Sequence, residues 1–167
     1  MTLRQILVFA SVIVLAGCAS VRDLRYLSQP QNKQLSASPG ATLFRLTKKG
    51  DLPNAYGARD IYGGKVDKGF AEVKLLSISE EGVLELLVFD VSKDSTETTM
   101  SRYGFGQGFN FNMSQTVNIG GSGELGVKAT MDTRKGREMV VSGIKITFTE
   151  IKPSYLTYTL EDLERAQ

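Results

Sequence analysis

The chain has 167 residues, of which 41% are hydrophobic and 23% charged, a composition that fits one ordinary globular domain and excludes an extended disordered protein. Its formal charge is only +2, so no strong basic field attracts nucleic acid. It contains one cysteine and no histidine, which excludes an internal disulfide, a catalytic histidine and a histidine-ligated metal site.

The first segment, residues 1–17, has the pattern of a secretory signal peptide. Arg4 supplies one positive charge, and residues 6–17 are apolar or small and uncharged. Such a run matches the apolar region of a signal peptide and falls short of the roughly 20 residues that span a bilayer. Arg22 and Asp23 follow closely, which argues against an uncleaved membrane helix. Cleavage at an ordinary secretory site is the other alternative, and it would leave Cys18 as a free thiol.

The end of this segment, Leu15-Ala16-Gly17-Cys18, resembles the lipobox of bacterial lipoproteins. The resemblance implies that the leader is removed just before Cys18 and that the Cys18 thiol receives a diacylglyceryl group with long acyl chains such as palmitate. Two or three such chains hold a protein on a membrane almost permanently. Because residue 19 is alanine and not aspartate, the sorting rule of enteric-type bacteria points to the outer membrane. We therefore expect a periplasm-facing lipoprotein of the cell envelope, with the inner membrane and the cell surface as alternatives.

Residues 18–40 predict a lipidated N-terminus followed by a flexible tether. The second half of this segment is dominated by serine, glutamine and asparagine and contains Pro30 and Pro39. Such a composition buries no core and behaves as a linker, here with a typical span of about 25 Å. Residues 21–27 are less polar and could dock or form a helical turn.

Residues 41–167 predict a single all-β domain. Strand-like segments are 42–46, 70–78, 83–91, 143–149 and 154–160, and turns are predicted at Gly50-Asp51, Gly63-Gly64 and Glu81-Gly82. Residues 93–102 favour an exposed strand or loop, residues 117–130 favour two short strands around a glycine-rich turn, and residues 160–166 favour a short charged C-terminal helix. Strands at about ten-residue intervals without helical periodicity indicate a β-sandwich or a small barrel.

Residues 50–68 form the first candidate binding segment. They are rich in turn-forming residues and carry Tyr56, Arg59 and Tyr62 within a short distance along the chain. Loops on a β scaffold commonly carry recognition, and tyrosine with arginine is the usual chemistry of binding hot spots. The structural alternative is a solvated pair of hairpins held by Arg59 and its neighbour Asp60.

Residues 103–113 form the second candidate binding segment. In an extended chain, Tyr103, Phe105, Phe109 and Phe111 share one face, and glycine and asparagine occupy the other. An aromatic face of this kind can bind a glycan, a lipid or another flat ligand, or contact a partner or a membrane. The structural alternative is that the aromatic rings fill the core while the glycines lie under a crossing strand.

The sequence shows no catalytic, metal or cofactor motif. The aspartates are scattered among predicted turns, and acid–base catalysis by carboxylates needs two of them at a defined separation. Without histidine, an activated serine would need a lysine, and in residues 41–167 the usual Ser-x-x-Lys spacing occurs only at Ser142–Lys145, where a strand is predicted to begin. No calcium-loop pattern or phosphate-binding loop occurs either. We therefore expect no catalytic residues, no metal and no cofactor.

These patterns predict a non-enzymatic envelope lipoprotein. Its partners are expected to be the lipid bilayer, through acylated Cys18, and a protein or surface polymer of the periplasm, but no nucleic acid. Roles in assembly, secretion and envelope maintenance are all compatible with a fold of this class, because the fold alone does not determine the function. A glycan-, lipid- or small-molecule-binding protein using residues 103–113 is the alternative. A hydrolase that uses carboxylates alone is less favoured.

Overall fold

The computed structural model describes residues 20–103 and 126–164. They form two compact units, which we describe separately. The first, called the loop unit, contains described residues 20–24, 49–67 and 95–103. The second, called the sandwich unit, contains described residues 25–48, 68–94 and 126–164.

The described residues contain nine strands and one short helix. The strands are β1 (Asp23–Leu27), β2 (Leu35–Ala37), β3 (Thr42–Asp51), β4 (Lys65–Ile78), β5 (Val83–Ser92), β6 (Val127–Asp132), β7 (Glu138–Val141), β8 (Ile144–Lys152) and β9 (Tyr155–Asp162). The helix α1 (Thr99–Tyr103) lies between β5 and β6 in the chain. One sheet has the order β1-β3-β4-β5-β6, and the other has the order β2-β9-β8-β7. The two sheets are antiparallel and pack against each other, which confirms the predicted sandwich.

The apolar core of the sandwich unit follows from the period-two pattern of its strands. In β8, Ile144, Ile146 and Phe148 are buried and alternate with more exposed Lys145 and Thr147. The same core includes buried side chains from the other sheet, among them Phe44, Val73, Leu75, Leu84 and Leu86. Alternating side chains of a strand point to opposite faces, so each strand supplies one apolar face to this interior.

The segment expected to be a flexible tether contains two strands. β1 lies at the edge of the five-stranded sheet, and β2 lies at the edge of the four-stranded sheet. Leu35 pairs with Tyr158 of β9, and Ala37 is buried in the core. The tether prediction is therefore wrong for these residues. A polar edge strand needs only a few apolar contacts, because its partner strand supplies the hydrogen bonds.

Two local predictions near strand ends are also wrong. The expected C-terminal helix would begin at residue 160, but β9 continues to Asp162, which is buried and lies 3.4 Å from the Arg25 guanidinium. The turn expected at Gly50-Asp51 is instead the end of β3, and both residues are buried. At both strand ends an aspartate is buried. Its charge is tolerated there because a basic side chain from another part of the chain neutralises it. The strand β7 and the helix α1 were not predicted.

Within residues 20–103 and 126–164, no helix is both long enough and apolar enough to serve as a membrane span.

Candidate functional site

The loop unit contains the first candidate binding segment, and backbone hydrogen bonds hold this segment in one conformation. The Leu52 N–H donates to the Gly64 carbonyl at 2.8 Å, and the Asp60 N–H donates to the Leu52 carbonyl at 2.8 Å. Pro53 and Arg59 form an antiparallel bridge inside this closure. Residues 52–64 therefore form an ordered loop closed by backbone hydrogen bonds. Buried and half-buried backbone N–H and carbonyl groups need such partners.

Asn54 builds the tip of this loop. Its side-chain oxygen accepts hydrogen bonds from the backbone N–H groups of Tyr56 at 2.9 Å and Ala58 at 3.0 Å. Gly57 adopts a φ of +77°, a left-handed conformation that favours glycine. This turn leaves the Tyr56 side chain 96% exposed. The local sequence Asn54 to Gly57 thus presents one tyrosine to solvent on a fixed backbone.

Asp60 builds the second turn of the loop. Its carboxylate is buried, and its Oδ2 atom accepts the Gly64 N–H at 3.0 Å. Burial alone would raise the pKa of Asp60, but the backbone N–H groups of Gly64 and Tyr62 hold this pKa below its ordinary value. The carboxylate therefore acts as an internal acceptor for the turn that exposes Ile61 and Tyr62.

The helix α1 is attached to the loop by polar contacts. The Thr99 N–H donates to the Pro53 carbonyl at 2.8 Å. The Arg102 guanidinium donates to the Lys65 carbonyl at 2.9 Å and to both carboxylate oxygens of Glu97 at 2.6 and 2.7 Å. Two parallel hydrogen bonds of this kind are the strong, geometrically specific form of an arginine–carboxylate pair. They fix the segment that carries the exposed side chain of Met100.

The buried carboxylate of Asp51 forms ion pairs with three basic side chains at the base of the loop. Its side chain has no exposed surface, its Oδ1 atom is ion-paired with Lys65, and its Oδ2 atom lies 3.4 Å from Arg22 and 3.8 Å from Arg59. The hydrogen bond from Lys65 is the main reason that the pKa of Asp51 lies below its ordinary value. The expected Arg59–Asp60 pair is therefore wrong, because Arg59 faces Asp51 instead. We call Arg22, Arg59 and Lys65 the basic cluster.

The loop unit also carries the most exposed large apolar side chains of the described chain. Four of its residues are more than 60% exposed, namely Tyr56 at 96%, Ile61 at 87%, Tyr62 at 75% and Met100 at 67%. We call these four residues the exposed apolar set. Single exposed apolar residues are normal on protein surfaces, but several in one small unit are typical of binding sites.

The structure brings together part of the sequence-predicted site. Tyr56, Arg59 and Tyr62 all belong to the loop unit. Tyr103 ends α1 but its side chain is not described, and Cys18, Phe105, Phe109 and Phe111 lie outside the described residues. Sequence reasoning missed Ile61 and Met100, as well as the role of Asp51. Ile61 was detectable as an apolar residue inside a turn-rich segment, whereas nothing near Met100 in the sequence indicated its exposure.

The sandwich unit contains a serine–lysine–aspartate cluster that the sequence spacing did not reveal. The Ser142 hydroxyl donates to Asp90 at 2.6 Å, and the Lys48 ammonium donates to Asp90 at 2.7 Å and to Ser142 at 3.1 Å. A lysine that activates serine must be neutral, whereas this ammonium is paired with a carboxylate. Burial raises the pKa of Asp90, but Lys48 and Ser142 together hold it below its ordinary value. The arrangement therefore favours a structural role for the Ser142 hydroxyl over a role as a nucleophile.

Several carboxyl groups are unsuited to act as general acids. Five described carboxyl groups have a pKa below the ordinary value, namely Asp51, Asp60, Asp90, Glu97 and Asp132. A catalytic carboxylic acid needs the opposite shift. In the part of the chain that the structure describes, no three acidic, cysteine or histidine residues come together as a metal site.

Comparisons with known protein families, with characterised proteins and with solved structures find no match to this chain.

Proposed function

We propose that this protein is a non-enzymatic lipoprotein of the bacterial cell envelope that holds a recognition loop close to the membrane. The proposal combines the Leu15-Ala16-Gly17-Cys18 motif with the geometry of the loop unit. The motif supports a lipid anchor at Cys18 in the outer membrane, facing the periplasm. The loop unit supports binding of a protein or a surface polymer.

The observation that carries the recognition role is the exposure of Tyr56, Ile61 and Tyr62 on a loop whose backbone is already hydrogen-bonded. Ordering a loop on binding costs free energy, and a loop fixed in advance avoids that cost. Tyrosine offers a large contact area with few rotatable bonds, and it is enriched among residues that dominate binding energy. Exposed side chains of this type contribute little to folding, so a binding role is the better account of them.

The anchor is tested by mass spectrometry of the protein purified from membranes of its own host. We expect a mature chain that begins at Cys18 and carries a diacylglyceryl group on the sulfur. In the Cys18→Ala variant, the acyl mass disappears and the protein leaves the membrane fraction once the leader is removed. An unmodified Cys18 in the wild-type chain contradicts the anchor.

The recognition role is tested by photo-crosslinking in intact cells. A photoreactive phenylalanine analogue replaces Tyr62, and the matched control carries it at Val140, an exposed residue of β7 in the sandwich unit. We expect a discrete crosslinked product from position 62 that is absent at position 140. Adding Tyr56→Ala to the position 62 variant should weaken that product. Identical products from both positions contradict recognition by the loop.

A further inference from the structure

We propose that the loop unit rests on the membrane surface, with the basic cluster contacting anionic lipid headgroups and the exposed apolar set entering the headgroup layer. The inference rests on the lipid anchor of the proposed function, and it assigns to the loop unit a ligand, the bilayer itself. The occupant to which we commit is an anionic lipid surface. An acidic protein partner is the competing outcome of the test.

Only a short length of chain separates the anchor from the loop unit. Arg22 is fixed there, because its carbonyl accepts the Asp51 N–H at 2.9 Å and its own N–H donates to Asp51 Oδ2 at 3.3 Å. Arg22 follows Cys18 by only four positions in the sequence, and even a fully extended chain spans at most about 14 Å over that distance. An acylated Cys18 therefore keeps Arg22 within about two screening lengths of the headgroups at physiological ionic strength.

The basic cluster offers hydrogen-bond donors that suit lipid headgroups. The side chains of Arg22, Arg59 and Lys65 are 58%, 37% and 31% exposed, although each of them also contacts Asp51. Both guanidinium groups approach Asp51 through Nε and have no further partner among the described residues. Their remaining N–H donors suit phosphate oxygens, which arginine binds through its planar fork. Basic residues close to a membrane are attracted by the anionic lipids of its surface.

Several negative charges of the same unit are buried or paired. Two of the carboxylates, those of Asp51 and Asp60, are buried, and the half-buried carboxylate of Glu97 is bound to Arg102. Asp23 and Asp67 remain at the surface, so the attraction to lipid is moderate and not strong. A moderate contact suffices, because a covalent anchor makes the contact intramolecular and raises its effective concentration.

The exposed apolar set also suits a membrane surface. Tyrosine is enriched at membrane–water interfaces, where its ring lies among the headgroups and its hydroxyl stays hydrated. Ile61 and Met100 add apolar side chains that gain from partial insertion. An acidic protein could meet the same residues, but the short link between Arg22 and Cys18 keeps the basic cluster of the same unit close to a lipid surface.

The test uses the lipidated full-length mature protein, because its only cysteine is consumed by the anchor. An Ile61→Cys variant then carries a single reactive thiol, which is labelled with an environment-sensitive fluorophore. The control label is at Lys135→Cys, a residue of the sandwich unit whose side chain is 86% exposed. A Met100→Cys label provides a second reporter of the loop unit.

Labelled proteins are incorporated into vesicles of phosphatidylcholine alone or mixed with phosphatidylglycerol, with brominated acyl chains as the membrane quencher and iodide as the aqueous quencher. We expect several-fold stronger bromine quenching at positions 61 and 100 than at position 135 in the anionic vesicles. Raised salt or removal of phosphatidylglycerol should reduce this difference. Arg22→Gln should reduce it as well, whereas Lys33→Gln, which removes one charge from an exposed residue of the sandwich unit, should leave it unchanged.

Iodide accessibility distinguishes the ways in which the proposal can fail. If positions 61 and 100 are as open to iodide as position 135 while the protein floats with the vesicles, bilayer contact is wrong and the anchor stands. If these positions become protected only when an acidic protein partner is added, the occupant is that partner. If the protein does not float with the vesicles at all, the anchor itself is wrong, and the proposed function fails with it.

Discussion

The sandwich unit and the loop unit are stabilised by different interactions. The sandwich unit buries a continuous core of leucine, isoleucine, valine and phenylalanine side chains from both sheets. The loop unit has Leu52 and Val66 as its fully buried apolar side chains in the described residues, and it buries the carboxylates of Asp51 and Asp60 beside them. Apolar burial is insensitive to pH, whereas buried charges depend on every partner that neutralises them. The two units should therefore respond differently to mutation and to acid.

The largest effect should come from the core of the sandwich unit. Phe148 is 1% exposed and packs within the core cluster of both sheets. Phe148→Ala should lower the free energy of unfolding by about 3–5 kcal/mol, because it removes buried apolar surface and leaves a cavity. Urea unfolding followed by circular dichroism measures this change. The control Val140→Ala, at a residue that is 57% exposed in the same sheet, should change stability by less than about 0.5 kcal/mol.

Two glycines test how tightly the backbone is constrained in each unit. Gly69 at the β4–β5 pairing has a φ of +101°, and an added methyl group would overlap the Val91 carbonyl. Gly57 in the loop has a φ of +77° and open space around it. Gly69→Ala should lower the free energy of unfolding by about 3 kcal/mol, because the methyl group meets both the steric overlap and the left-handed conformation. Gly57→Ala should lower it by about 1 kcal/mol, because only the left-handed conformation is unfavourable there. Equal costs would mean that the strand relaxes around the methyl group.

The same contrast explains which parts of the fold were readable from the sequence. The strands β8 and β9 were predicted because Ile144, Ile146 and Phe148 alternate with polar residues, and a period of two is a local signal. The strand β2 was missed because its partner β9, with Tyr158 opposite Leu35, lies more than a hundred residues away, and β1 was missed because its neighbour β3 is also separated from it in the chain. No local pattern encodes such a pairing in a polar segment.

The residues of the candidate site could be predicted from the sequence only in part, for a related reason. Tyr56, Arg59 and Tyr62 were singled out because tyrosine and arginine in a turn-rich segment indicate recognition. Asp51 was taken for a turn residue, since its three cations lie up to 29 residues away from it in the chain. A buried charge is recognised by its partners, and the sequence does not show which distant side chains meet.

Acid should open the loop unit before it affects the core of the sandwich unit. Hydrogen bonds from Lys65 and Arg22 lower the pKa of Asp51 in the folded state. The folded protein therefore binds this proton more weakly than the unfolded chain, and the stabilisation is complete above the ordinary carboxyl pKa and is lost as pH falls through the lowered pKa. Below about pH 4, the Leu52 and Asp60 amides should exchange hydrogen faster, while the Phe148 amide stays protected.

The Asp51→Asn variant should reproduce this opening at neutral pH. It removes the charge that pairs with Lys65, Arg22 and Arg59 and leaves a side chain of nearly the same size. We expect faster exchange at Leu52 and Asp60 and a smaller further change on acidification than in the wild type, because only the Asp60 carboxylate of the pair still titrates. Asp132→Asn is the matched control, because Asp132 also has a lowered pKa, held by Arg134, but belongs to the sandwich unit. If Asp51→Asn leaves exchange unchanged, the backbone hydrogen bonds alone hold the loop.

The smallest effect on stability should come from the residues that matter most for binding. Tyr56 and Tyr62 are 96% and 75% exposed, so the double variant Tyr56→Ser, Tyr62→Ser should change the free energy of unfolding by less than about 0.5 kcal/mol. The same variant should lose the crosslinked product formed from a photoreactive residue at position 61, and its loop amides should keep their normal exchange rates. A variant that instead unfolds readily would show that these rings pack on the loop, and the contrast between a structural sandwich and a loop displayed for binding would no longer hold.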